Sequence, residues 1–233
     1  PIYLHDMLEW LKRDFVLESE MAFSMSKRKN TGIQYHQFTY PDGKVNMPIR
    51  VSYFVREKET DVPYVLDFCP VDGLHLEVQI MHLPEHSIEE FHKKYEEYGT
   101  KHGILRGHTV DAKMRFLQID DVSWEDVVLS PEQRKSLDRN IVKFISHISL
   151  YESKNLPTSR GCLLTGPPGT GKTLTCSAIM NQVDSTIFYI TSEDITDRGQ
   201  ISDLYDVARK VSPSIVVVED IDTLGWIDRN RAG

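Results

Sequence analysis

The stretch "GPPGTGKT", residues 166–173, constrains the fold of this chain more than any other part of it. Its glycines and its lysine complete the pattern G-x-x-x-x-G-K-[ST]. Glycine is needed where a loop takes left-handed dihedrals or must approach a ligand without a Cβ in the way. The pattern therefore predicts a P-loop (Walker A), in which main-chain N–H groups at the start of a helix converge on the phosphates of a nucleotide.

The residues around this loop predict alternating strands and helices. The predicted strands are "GCLLT", "TIFYI" and "SIVVVED", and the predicted helices are "GKTLTCSAIMNQV", "QISDLYDVARKV" and a longer helix that opens at Ser130-Pro131-Glu132 and runs through "RNIVKFISHISLY". Such alternation predicts parallel βαβ units. The continuous apolar run in "IVVVE" is typical of a strand covered on both faces. We therefore expect an α/β P-loop NTPase core with a parallel sheet.

The part of the chain before this core has a different pattern. Leu4, Leu8, Leu11 and Phe15 predict an amphipathic helix over the first twenty or so residues. The segments "GIQYHQFTY", "MPIRVSYFV", "PYVLDF" and "LHLEVQI", separated by turns at Pro41-Asp42-Gly43 and Asp72-Gly73, predict an antiparallel sheet. A helix at "SIEEFHKKYEEYG" and a strand at "AKMRFLQI" follow. We expect an α+β, strand-rich domain over residues 1–122 and the nucleotide-binding part over residues 123–233.

Two acids follow the last predicted strand. Glu219 and Asp220 stand directly after "IVVV". A P-loop protein needs a carboxylate at the end of a neighbouring strand to hold Mg²⁺, and a hydrolase also needs a base that polarises water. Lys172 is expected to reach the β and γ phosphates, and the Thr173 hydroxyl to ligate Mg²⁺. The predicted cofactors are a nucleotide and Mg²⁺.

"RGCLLTGPPGTGKT", "ITSEDI" and "LYDVARKVSPSIVVVEDIDTLG" together resemble the AAA family of ATPases, over residues 123–233. "WEDVVLSPEQRKSL" is similar to the family's segment beside adenine. The resemblance implies a truncated AAA module, an oligomer that is a hexameric ring, and a Walker B role for the two acids: Glu219 for magnesium and Asp220 for water. It implies these nucleotide-binding residues: Asp126, Val127, Gly166, Pro167, Pro168, Gly169, Thr170, Gly171, Lys172, Thr173 and Leu174. Lys172, Glu219 and Asp220 are the implied catalytic residues, and Thr173 and Glu219 the implied magnesium ligands.

Two departures from the family pattern bear on mechanism. Most AAA members have Asp before Glu, whereas this chain has Glu219 before Asp220. That order is similar to the branch of the mitochondrial respiratory-complex-III assembly ATPase, which also has a strand-rich domain in front. Unfolding members carry an aromatic-x-glycine pore loop, but "TSEDITDRGQ" has Arg198-Gly199 and no aromatic residue. The interpretation is a remodelling ATPase whose front domain engages a protein partner.

Composition limits the function classes. The net charge of -8 argues against a general attraction to nucleic acid, and no stretch approaches the roughly 20 apolar residues of a membrane span. Three scattered cysteines fit a reducing compartment, so the cytoplasm is expected. Because the chain begins at Pro1 without Met, it is expected to be a piece of a longer protein.

Two alternative functions stay open: a small-molecule P-loop kinase, and an ATP-responsive scaffold without turnover.

Overall fold

The structure is a computed structural model, and it describes residues 2–24, 29–30, 32–70, 76–191, 194 and 198–221. The chain divides into two compact units, Pro1–Ile104 and Leu105–Gly233. This division lies N-terminal to the predicted boundary between residues 122 and 123. The reason is a short strand at Thr109–Val110, which pairs with a strand of the second unit at Ile187 and Phe188.

The front unit is an antiparallel sheet with two helices. Its elements are α1 (Ile2–Asp14), β1 (Phe15–Met21), β2 (Phe23–Ser24), β3 (Lys29–Asn30), β4 (Gln34–Tyr40), β5 (Gly43–Glu57), β6 (Pro63–Pro70), β7 (Leu76–His82) and α2 (Ile88–His102). The main sheet has the order β1-β5-β6-β7, and β4 pairs with the first half of β5. The predicted antiparallel sheet is confirmed. The turn at Pro41-Asp42-Gly43 closes the β4–β5 hairpin, whereas Asp72-Gly73 lies outside the described residues.

Aromatic side chains form the centre of this unit. The Trp10 side chain of α1 is 1% exposed and packs edge-on against Phe15 and Phe91, with ring centroids 5.0 and 4.9 Å away. The predicted first helix ends at Asp14, because Phe15–Met21 pairs with β5 instead of continuing the helix. Cross-strand pairing of β-favouring residues outweighs the helical spacing there.

The second unit contains a parallel sheet. Its elements are β8 (Thr109–Val110), a 3-10 turn (Trp124–Asp126), α3 (Pro131–Leu137), a π-helical segment (Asp138–Val142), α4 (Lys143–Ser146), α5 (Ile148–Ser153), α6 (Lys172–Met180), β9 (Thr186–Ile190), α7 (Arg198–Lys210) and β10 (Ser214–Val218). Strands β10 and β8 both run parallel to β9, in the order β10-β9-β8. The predicted parallel sheet is confirmed for these strands.

Three elements of this unit differ in the structure from their sequence-based predictions. In "AKMRFLQI" only Phe116 makes a bridge, antiparallel to Val110, because the chain turns back at residues 111–115. "GCLLT" forms no strand: it borders a cavity, and Leu163 is 70% exposed. The helix that starts at the capping box of Ser130 and Gln133 is interrupted at His147, so it comprises several segments.

Candidate functional site

The predicted P-loop has the local geometry that its glycines allow. Gly169 and Gly171 take φ of +75° and +82°, in the left-handed region where a side chain would be strained. Gly171 is the residue before α6, and the helix begins at Lys172. A Cβ on Gly166 would lie 3.1 Å from the Thr170 hydroxyl oxygen. The loop therefore turns tightly into a helix N-terminus, where free N–H groups can bind an anion.

Two hydroxyl groups hold this turn in place. The Thr170 hydroxyl donates a hydrogen bond to the Pro167 carbonyl at 2.8 Å. The Thr175 hydroxyl donates to the Gly171 carbonyl, also at 2.8 Å. Since both acceptors belong to the loop itself, the loop shape is set by its own sequence.

Lys172 lies over the loop. Its ammonium group donates hydrogen bonds to the main-chain carbonyls of Gly166 and Pro167, each at 2.9 Å. The positive charge therefore sits at the phosphate-binding end of the loop before any phosphate binds. Charge-assisted contacts of this kind are the strong hydrogen bonds of proteins.

A cavity of about 460 Å³ opens beside the loop. Its volume falls in the range of small-molecule sites, about 300–1,000 Å³. The lining residues from the loop and α6 include Gly166, Pro167, Thr170, Lys172 and Thr175. The apolar part of the wall comes from Val128, Leu129, Leu137, Leu163 and Leu164. A wall that is polar at the loop and apolar elsewhere suits a molecule with a phosphate end and a flat, weakly polar end.

Sequence reasoning missed part of this wall. Gln133, Ser136 and Leu137 belong to α3, and Cys162 and Leu163 were assigned to a strand. The helix spacing of residues 133, 136 and 137 places them on one face, but nothing in the sequence says which face borders a cavity.

Asp126 and Val127, the two predicted nucleotide contacts from the segment "WEDVVLSPEQRKSL", do not line the cavity. The Asp126 carboxylate accepts hydrogen bonds from the main-chain N–H and the hydroxyl of Ser123, at 2.8 Å each. These bonds lower the pKa of Asp126 below its ordinary value. Val127 packs against the core cluster around Trp124, and the next residue, Val128, reaches the cavity. Asp126 and Val127 stay predictions as nucleotide contacts.

The two acids lie at the carboxyl end of β10. The Glu219 N–H donates to the Ile190 carbonyl at 2.9 Å, so its main chain continues the pairing with β9. Burial first, and then the nearby Glu219 carboxylate, hold the pKa of the Tyr189 hydroxyl on β9 well above its ordinary value. Asp220 is exposed and takes φ of +50°. The backbone is therefore in the left-handed region directly after the strand.

The Glu219 carboxylate acts electrostatically on the thiol of Cys176 in α6. Burial, and after it the negative charge of Glu219, raise the pKa of Cys176 to about 11. Cys176 comes one helical turn after Lys172. The Glu219 carboxylate is therefore electrostatically coupled to the helix that begins at the P-loop.

The oxygen donors present fit magnesium. Thr173 is exposed at the first turn of α6, and Glu219 ends the neighbouring strand. Within the described ranges no group of three or more His, Cys, Asp or Glu side chains could hold a metal by itself. A site with one hydroxyl and one carboxylate suits Mg²⁺, which keeps several waters and takes other oxygens from the phosphates of its substrate.

Comparison with known proteins agrees with this geometry. Residues 162–232 match the family model described as "ATPase family associated with various cellular activities (AAA)". Over these residues the chain is similar to AAA ATPases. The segment contains the P-loop, α6, β9, α7, β10 and both acids, so the predicted family resemblance is confirmed there.

The alignments with known relatives cover about half of this chain and a smaller part of each relative. The chain is 30% identical over 124 residues to the proteasome-activating nucleotidase of Methanopyrus kandleri, which is 49% of this chain and 28% of that protein. It is 34% identical over 123 residues to Protein SAP1 of Saccharomyces cerevisiae, 48% of this chain and 14% of that protein. It is 31% identical over 141 residues to 26S proteasome regulatory subunit 8 of Dictyostelium discoideum; the alignment covers 57% of this chain and 34% of that protein. The chain thus spans about a third or less of these curated relatives.

None of the helices in the described ranges is long and apolar enough to cross a bilayer.

Proposed function

We propose that this chain is part of a magnesium-dependent AAA ATPase, which couples ATP binding and hydrolysis to the remodelling of a protein partner. The observation that carries the proposal is the P-loop: left-handed glycines lead into α6, and Lys172 lies between the loop carbonyls and a cavity. The match of residues 162–232 to the AAA family supports ATP as the nucleotide.

Each residue has one role in this proposal. The loop N–H groups from Gly169 to Thr173 bind the phosphates, and Lys172 exchanges its two carbonyl contacts for phosphate oxygens. Glu219, at the carboxyl end of β10, would hold Mg²⁺ together with Thr173. The bound ion would neutralise charge on the phosphates during transfer. Exposed Asp220 would accept the proton of the attacking water.

The wider assembly is also part of the proposal. AAA relatives support an oligomer, and we infer a hexameric ring in which the front unit engages the protein partner. The front unit has its own buried core, with Trp10, Leu66, Phe68 and Phe91 at most 2% exposed, so it can act as a separate module. The Glu219–Asp220 order favours the branch of the respiratory-complex-III assembly ATPase, and a cytoplasmic location is inferred from composition.

A phosphate-release assay on the full-length protein tests the activity. Asp220→Asn should retain ATP binding and lose about 100-fold or more in turnover, because the amide keeps the shape and loses the base. Glu219→Gln should chiefly raise the Mg²⁺ concentration needed for turnover. Asp203→Asn, an exposed site on α7, is the matched control and should behave as wild type.

The assay also separates the alternative functions. Phosphate that appears on an added small-molecule acceptor, and not in water, would identify a kinase. Tight ATP binding without release in wild type, under conditions that include candidate partners, would identify a non-hydrolysing scaffold. Equal turnover in wild type and in Asp220→Asn would show that Asp220 is not the base.

A further inference from the structure

Strand β7 is the last strand of the front sheet. The order β1-β5-β6-β7 gives β7 one partner, β6, among the described strands. In an antiparallel pair, alternate N–H and C=O groups of each strand point away from the partner. No other main-chain hydrogen bond within the described part of the chain reaches Leu76–His82. The free side of β7 therefore presents main-chain groups with which a further strand can pair.

The opposite edge of the sheet, β1, has features that hinder such pairing. Its register with β5 shifts at a bulge between Leu17 and Ser19, and Glu18 and Glu20 are exposed along it. Bulges and charged side chains are the usual protection of an edge strand. In contrast, β7 pairs regularly with β6 over all seven residues and contains no proline or lysine. Of these two edges, β7 is the one that can accept another strand.

The side chains of β7 indicate what an added strand needs. Val78 and Ile80 face the core side of the sheet, yet each is only half-buried. Their partners on β6, Phe68 and Leu66, are fully buried. A strand beside β7 would cover the exposed parts of Val78 and Ile80 if every second side chain of that strand were apolar.

The charge around β7 is negative. Residues 59–92 contain eight acidic residues and no lysine or arginine. Glu77 on β7, and Glu85 and Glu89 shortly after it, are exposed. Complementary charge attracts a binding partner and like charge repels it, so this edge favours a basic segment over an acidic one.

We propose that β7 binds an extended, positively charged segment of the protein partner, which pairs with the strand edge as an additional β-strand. Its apolar side chains lie beside Val78 and Ile80, and its lysine or arginine side chains lie on the other face beside Glu77. In strand addition the main-chain hydrogen bonds supply affinity and the alternate side chains supply specificity. The inference rests on the proposed function, in which the front unit engages a partner, and names the chemistry of the segment that is bound.

Fluorescence anisotropy with a labelled peptide tests the inference on the full-length protein. The peptide is as long as β7 and alternates valine with lysine. A second peptide has glutamate in place of lysine, and a third is the lysine peptide with methylated main-chain nitrogens, which cannot donate hydrogen bonds. Each of these two should bind about tenfold more weakly or worse, because one loses the charge attraction and the other the strand pairing.

Variants of the protein locate the binding edge. Glu77→Gln should weaken binding of the lysine peptide about two- to fivefold, as expected for an exposed ion pair, and Glu77→Lys should weaken it further. Glu20→Gln removes an exposed carboxylate from the opposite edge strand, β1, and is the matched control that should bind as wild type does.

Three results would overturn the inference. Equal binding of the methylated and unmethylated peptides would show that charge alone attracts the peptide, and equal losses in Glu20→Gln and Glu77→Gln would show that the attraction is not local to β7. A protein oligomer that dissociates in Glu77→Lys, measured by sedimentation without peptide, would show that a second copy of the chain covers this edge.

The outcomes for this inference and for the proposed function are separate. A protein that releases phosphate from ATP but does not prefer the lysine peptide would overturn the inference alone. A protein that binds the lysine peptide as expected, but releases no phosphate with or without it, would overturn the proposed ATPase and leave the strand-addition site in place.

Discussion

Replacing Lys172 by Met tests the P-loop most directly, because Met keeps an unbranched side chain and removes the ammonium group. In the structure this group already makes two hydrogen bonds, to the Gly166 and Pro167 carbonyls at 2.9 Å each. Both bonds are exposed, so water replaces them when the ammonium is lost. We expect the nucleotide-free protein to lose about 1 kcal/mol of stability or less.

The effect on nucleotide binding should be larger. A hydrogen bond to a charged group contributes about 1.5–3 kcal/mol, and Lys172 exchanges carbonyl contacts for phosphate contacts when ATP binds. A net loss near the upper end of that range, about 2.7 kcal/mol, corresponds to roughly 100-fold weaker binding.

Thermal unfolding with and without Mg-ATP measures this difference. At a ligand concentration of about 1,000 times the wild-type Kd, binding stabilises wild type by about 4.1 kcal/mol and a 100-fold weaker variant by about 1.4 kcal/mol. The difference of about 2.7 kcal/mol corresponds to roughly 5–11 °C for a chain of this size. Lys172→Met should therefore lose most of the ATP-induced rise in Tm.

The matched control is Lys154→Met, at an exposed position just after α5. It should keep the full rise. If Lys172→Met also kept the full rise, the ammonium would make no net contact with the phosphates. The assignment of residues 166–173 as the phosphate site would then be wrong.

Two further predictions concern the cysteines and the front unit. Iodoacetamide at pH 8 should modify exposed Cys162 quickly and Cys176 slowly, because a thiol with a pKa raised to about 11 is almost wholly protonated there; Cys176 modification should rise as the pH approaches 11. ATP should protect Cys162, which lines the cavity, and mass spectrometry would detect equal labelling if it does not. Deleting the front unit up to Ile104 should preserve ATP affinity and remove stimulation of turnover by a native protein partner; stimulation that persists in the deletion would place partner binding elsewhere.

Local chemistry made several features predictable. The hairpin at Pro41-Asp42-Gly43 and the strands around it follow from turn residues and β-favouring runs, which act over a few residues. The capping box of Ser130 and Gln133 starts a helix for the same reason. The P-loop is the clearest case, since its glycines, Thr170 and Lys172 make their hydrogen bonds with each other.

Other features depended on residues far apart in the chain. Phe15–Met21 is a strand because β5 offers it a partner, and Thr109–Val110 joins the second sheet because β9 lies beside it. The sequence pattern predicts strands at β5 and β9 but does not say which segments pair with them. The missed cavity residues Gln133 and Ser136 belong to this group too, because a helix face becomes a cavity wall only when something leaves space next to it.

The acidic pair shows both kinds of information at once. The sequence by itself determined that two carboxylates follow an apolar strand, because strand propensity and chain order are local properties. Only the tertiary structure decided that Glu219 lies near Tyr189, while Asp220 is exposed and has a left-handed backbone conformation. The physical reason is that the parallel register of β9 and β10, which places Tyr189 opposite Val217, joins segments far apart in the chain, and no local pattern encodes it.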